Sequence, residues 1–96
     1  MTTRFLISYD ISDDHRRGRV FKILRSFGDH VQYSVFRCDL SDRKRVELTA
    51  ALHGEIDHSE DQILVVDLGP VDGRAATCVV AIGRRYLPPE RTVVIV

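Results

Sequence analysis

The sequence predicts an α+β fold with the element order β-α-β-β-α-β and further strand-forming stretches behind it. Three observations carry this expectation. The runs RFLISY (residues 4–9) and QILVVDL (residues 62–68) are short, β-branched and free of helical spacing. Two other stretches carry apolar residues at helical period, each between a capping residue and a glycine. The length of 96 residues, 44% of them hydrophobic, suits one compact core, so residues 1–96 are expected to form a single domain.

Residues 4–9 are apolar on nearly both faces, which is the mark of a central strand. Period two sets Phe5, Ile7 and Tyr9 on one face and Leu6, Ser8 and Asp10 on the other, so Asp10 emerges at the strand's carboxyl end. Ser12, Asp13 and Asp14 supply a cap and acidic first-turn residues for a helix, whose stripe Val20, Ile23, Leu24, Phe27 follows the i, i+3, i+4, i+7 rule and stops at Gly28. One turn before Val20, Arg16 falls on the same inward edge.

Residues 30–40 (HVQYSVFRCDL) are strand-like but too long for one ordinary strand, and the polar stutter Gln32-Tyr33-Ser34 predicts a tight break between two short ones. Ser41 caps a second helix running to about Gly54, with Leu48, Ala51 and Leu52 inward. The strand at 62–68 closes at Gly69-Pro70, and residues 77–82 (TCVVAI) read as a further strand after a glycine-containing turn. Residues 92–96 (TVVIV) form a last one. An exposed edge so apolar invites aggregation, so this segment is expected to pair with a sheet, including that of a second subunit.

Composition excludes several classes of function. Fourteen basic side chains balance fourteen acidic ones, unlike a generic polybasic nucleic-acid binder. The balance is uneven along the chain: ten basic against seven acidic residues in 1–48, and four against seven in 49–96. This asymmetry suggests that the first half meets a phosphate backbone, although two ordinary solvated faces explain it as well. Cys38 and Cys78 are too few for a disulfide scaffold and, with no signal peptide, point to a reducing cytoplasm. No apolar run approaches the roughly 20 residues that span a membrane. The four histidines and two cysteines lack zinc-site spacing, and neither a nucleophile triad nor a glycine-rich phosphate loop is apparent.

The candidate chemistry lies in Tyr9-Asp10-Ile11 and the acidic turn behind it, because a carboxylate at a strand end opening into a helix amino terminus is well placed for a divalent cation. A plain turn role for Asp10 remains the alternative. Asp13 and Asp14 suit the helix dipole better than a metal. Arg16, Arg17, Arg19, Lys22 and Arg25 are the dense basic stretch; Arg16 and Arg17 sit in the turn nearest Asp10 and are the candidates for phosphate, with Arg84 and Arg85 as the other path.

The residues LISYDISDDHRRGRVFKILRSFG, followed by VQYSVFRCDLS, resemble the CRISPR-associated Cas2 family across residues 5–41. The resemblance rests on a strand ending in Tyr-Asp-Ile, a short acidic turn, a basic amphipathic helix and a Val-Gln-Tyr-Ser-Val-Phe segment. It implies a ferredoxin-like domain forming a homodimer with facing sheets, and a carboxy-terminal strand, about 92–96, joining the partner's sheet. It implies metal-dependent cleavage of phosphodiester bonds in RNA or duplex DNA, with Mg²⁺ as the expected ion, in spacer acquisition and antiviral defence. It also implies integrase subunits as partners. The family's metal-binding aspartate falls on Asp10; Arg16, Arg17, Tyr9, Ser34 and Phe36 lie in matching segments. One carboxylate per chain is a thin ligand set, which a dimer axis joining two Asp10 side chains would remedy. Two carboxylates so placed repel, so activity is expected to favour raised pH. A non-catalytic adaptor bridging integrase and duplex DNA is the alternative reading, and a toxin-like ribonuclease a third.

Overall fold

The computed structural model describes residues 1–86. Four strands and two long helices follow the expected order: β1 (Thr3–Asp10), α1 (Asp14–Phe27), β2 (Asp29–Gln32), β3 (Val35–Leu40), α2 (Asp42–Glu55) and β4 (Gln62–Pro70). They form one antiparallel sheet in the order β2-β3-β1-β4, with β1 inside it as its two apolar faces require. This is the ferredoxin-like arrangement.

Register fixes which side chains share a face. Phe5 stands opposite Cys38 and Ile7 opposite Phe36, and all four are buried together with Tyr9 and Leu40. Against this face α1 packs Val20 and Leu24, both fully enclosed, and α2 packs Leu48 and Leu52. Ile23 and Phe27, expected inside, are only partly buried at the margin of the core. Asp13 caps α1, its carboxylate accepting from the Arg16 N–H at 2.9 Å, and the Ser41 hydroxyl accepts from the Lys44 N–H to cap α2. The expected break in residues 30–40 is a two-residue hairpin turn, Tyr33-Ser34, between the paired Gln32 and Val35.

Among the described residues neither α1 nor α2 packs on the opposite face of the sheet. Leu6 lies across from Val66 and Ser8 from Leu64, so an apolar strip runs over β1 and β4, with Leu64 54% and Val66 49% exposed. Asp10 falls on this same face by alternation.

Residues 77–82 correct one expectation. No strand forms there; a short 3-10 turn, Arg74–Ala76, precedes an irregular segment in which Val80 is 82% and Ile82 98% exposed. Strand propensity measures fit to a pleated surface, and this segment pairs with neither outer strand of the sheet, β2 or β4. It runs instead beside Leu6, Val35 and Arg37, enclosing a hollow of about 950 Å³ on the open face. The expected strand at residues 92–96 lies outside the described residues.

Gly28, at the end of α1, is held close to β3: a Cβ there would sit 2.4 Å from the Arg37 carbonyl oxygen and 2.4 Å from the Cys38 Sγ. Both neighbours are fixed by the core. Gly28→Ala is therefore expected to destabilise the chain by about 1–3 kcal/mol, the usual range for overpacking, measured as a lowered urea midpoint.

Candidate functional site

The site is built where β1 ends. Tyr9 points into the core and its backbone N–H donates to the Ser34 carbonyl at 3.1 Å, so the β2–β3 turn is tied to the residue preceding Asp10. Ile11 is buried and anchors the connection to α1. Between these two apolar anchors Asp10 stands exposed, its carboxylate making no hydrogen bond or ion pair with any described residue. The nearby acids are all committed: Asp13 to the helix cap, Asp14 to Arg17, and Asp61 to Arg16.

Arg16 and Arg17, adjacent in sequence, do different work. The Arg16 guanidinium donates from Nε to Asp61 at 2.8 Å and from Nη2 to Asp61 at 3.3 Å and Glu60 at 3.2 Å. The Asp61 side chain is fully covered and also accepts from the Asp57 N–H at 2.8 Å. This pair joins the start of α1 to the α2–β4 loop. The Arg16 interaction, followed by the Asp57 N–H, pulls the Asp61 carboxyl below the ordinary aspartate range. Arg16, expected from the sequence to meet phosphate, is here engaged by the carboxylates of Asp61 and Glu60. Arg17 is more open, its side chain 45% exposed: Nη1 donates to the carbonyls of Ile11 at 3.2 Å and Ser12 at 3.3 Å, and Nη2 pairs with Asp14.

Of the other expected residues, Tyr9 and Ser34 line an open hollow of about 470 Å³ with Asp14, Arg17, Gly18, Phe21 and Tyr33. Burial raises the Tyr9 hydroxyl above its ordinary pKa, with Arg17 opposing, so the phenol remains protonated through neutral pH. Phe36 is fully enclosed, its ring 5.3 Å from that of Phe21 and 5.0 Å from that of His30, so it supports the hollow from beneath. Tyr33 was not singled out from the sequence. It is 93% exposed and has a φ of +37°, a backbone state for which tyrosine gives no sequence signal.

Among the described residues no three His, Cys, Asp or Glu side chains gather in a way that holds a metal ion. A magnesium ion keeps several waters and often uses one or two carboxylates, so the exposed Asp10 fits it as a single ligand per chain. A fuller set requires a second copy.

The contrast between Arg16 and Arg17 gives a divided expectation. Arg16→Ala should lower thermal stability while leaving the salt dependence of nucleic-acid binding in place, whereas Arg17→Ala should reduce the slope of log K against log salt by about 1. The stabilisation of Asp61 by Arg16 acts above the unfolded aspartate value of 3.8 and fades as pH falls through the lower folded value. The difference in melting temperature between wild type and Arg16→Ala should therefore shrink in acid.

A four-stranded antiparallel sheet in the order β2-β3-β1-β4 with two helices packed on one face places the chain in the class of small ferredoxin-like α+β proteins. The sequence comparisons resolve the class. The profile of the family described as CRISPR associated protein Cas2 matches residues 2–72, and this chain belongs to that family. It is 37% identical to the CRISPR-associated endoribonuclease Cas2 of Geobacter sulfurreducens, over 96% of each chain. It is 34% identical to CRISPR-associated endoribonuclease Cas2 1 of Rhodospirillum rubrum, over 96% of this chain and 89% of the other. A hypothetical protein of Thermus thermophilus superposes with a TM-score of 0.79 at 28% identity, covering 93% of this chain and 100% of the other. Cas2 of Streptococcus pyogenes does so at 0.69 and 28%, covering 83% of this chain and 99% of the other.

Proposed function

We propose that this chain is a metal-dependent endonuclease that cleaves phosphodiester bonds of RNA or DNA in CRISPR adaptation, acting as a homodimer with one Asp10 from each subunit at the reaction centre. The observation that carries the reading is the unpartnered, exposed Asp10 carboxylate amid acids that are all engaged elsewhere. Its position on the helix-free face supports the dimer, because two such faces packed together bring the strand ends toward each other. Relatives bearing the name endoribonuclease support the reaction class.

A bound Mg²⁺ would supply charge neutralisation at the phosphate and a more acidic water, and Asp10 would be the residue that holds it. Arg17, fixed by the Ile11 and Ser12 carbonyls, presents its remaining N–H groups to a phosphate oxygen. Asp13 and Asp61 act only by holding the helix start and Arg16 in place.

The apolar strip over β1 and β4 suits a second reading equally, a non-catalytic dimer that bridges integrase subunits and duplex DNA. The deciding experiment incubates the purified chain with labelled single-stranded RNA and duplex DNA in Mg²⁺ and in EDTA. Cleavage in Mg²⁺ alone supports the nuclease; duplex binding with no cleavage under either condition supports the adaptor.

A further inference from the structure

The hollow beside Tyr9 holds a feature that the cleavage chemistry does not use. At its rim Tyr33 occupies a left-handed backbone position that non-glycine residues adopt rarely and at a cost, and its ring is 93% exposed with no ring partner among the described residues. The turn is held from two sides. His30 Nε2 lies 2.5 Å from the Tyr33 carbonyl oxygen, and since a carbonyl only accepts, that nitrogen carries the proton. The neighbouring Ser34 carbonyl accepts from the Tyr9 N–H. His30 is itself braced against Phe36 and Phe21, with ring centroids 5.0 and 5.3 Å away. A solvent-facing aromatic ring is thus carried on a turn held to the sheet.

Arg17 lines the same hollow, and its three hydrogen bonds leave two of its five N–H donors for an incoming oxyanion. Its pairing with Asp14 keeps that acid from standing as an uncompensated negative charge beside a phosphate. The volume of about 470 Å³ falls in the range of small-ligand sites, and the lining combines aromatic surface with a single cationic group. Aromatic face plus arginine is the recognition chemistry of an unpaired nucleotide.

We propose that Tyr33 is a stacking platform for one unpaired nucleobase, whose phosphate is met by Arg17 across the same hollow. The site deepens the nuclease reading and rests on it for the nature of the ligand. Stacking on Tyr33 gives preference for a base of any identity over none, and seats a strand on the helix-covered side of the β1 end that carries Asp10.

The test compares oligodeoxythymidylate with an abasic phosphodiester chain of equal length, by fluorescence anisotropy in EDTA so that cleavage plays no part. The wild-type chain is expected to bind the base-bearing strand about tenfold more tightly. Tyr33→Asn removes the ring while keeping a residue suited to positive φ, and should abolish that preference with the abasic affinity unchanged within about twofold. Tyr33→Phe should retain the preference. Tyr33→Gly, equally tolerant of the backbone state, replaces the Asn variant if circular dichroism finds the latter unfolded. A wild-type chain without the preference, or a ring-less variant that keeps it, overturns the platform. Mg²⁺-dependent cleavage by a chain lacking the preference overturns the platform alone; preference without cleavage overturns the nuclease reading alone.

Discussion

Replacing Asp10 with Asn is expected to reduce Mg²⁺-dependent cleavage by more than about a hundredfold while leaving the fold and the dimer intact. Asn keeps the size of the side chain and removes the negative charge that a divalent cation requires. Charge stabilisation by a metal is worth several kcal/mol in the transition state, and about 2.7 kcal/mol already corresponds to a hundredfold. The cost to stability should stay within about 0.5 kcal/mol, because Asp10 is exposed and its carboxylate makes no hydrogen bond or ion pair with a described residue. The measurement is single-turnover cleavage of labelled substrate over a Mg²⁺ series, beside a thermal melt. Undiminished cleavage by the purified variant removes Asp10 from the chemistry and moves the protein toward the adaptor reading. A melting temperature lowered together with activity would instead make Asp10 a structural turn residue.

The sequence carried this site unevenly, for physical reasons. Asp10 was legible because period two along residues 4–9 fixes both its face and its place at the strand end. The helices were legible because Ser41 and the acidic turn before Asp14 announce their caps, and Val20, Leu24, Leu48 and Leu52 repeat at helical spacing. The ion pair of Arg16 was not legible because its partner Asp61 lies 45 residues away; local spacing puts Arg16 at the helix start, and only the folded loop after α2 shows what it pairs with. Residues 77–82 misled because β-branched composition states a preference that context overrides, and the segment pairs with neither outer strand of the sheet. Tyr33 was invisible because positive φ is signalled by Gly or Asn, and here it falls on a tyrosine inside a polar stutter that marked only the break.

The second large effect is expected from the open face. On the proposed homodimer, Leu64→Glu combined with Val66→Glu should leave a monomer in light scattering at concentrations where the wild-type chain is expected to run as a dimer. Both side chains are about half exposed in the single chain, at 54% and 49%, so charge is tolerated there by the fold itself. Fully burying such a side chain is worth about 1.5–3 kcal/mol, so covering the exposed half yields about 1 kcal/mol. Two residues on each of two subunits then contribute about 4 kcal/mol, or roughly a thousandfold in Kd, before the repulsion among four new carboxylates is added. Because Asp10 shares this face with Leu6 and Ser8, whose partners across the sheet are Val66 and Leu64, losing the dimer also separates the two Asp10 side chains. The paired Glu variant should therefore lose cleavage together with dimerisation, although no substituted residue is itself a ligand. A monomer that still cleaves at the wild-type rate would show that each chain completes its own site. A dimer that survives both substitutions would assign subunit contact elsewhere, leaving the apolar strip over β1 and β4 as a surface for another partner.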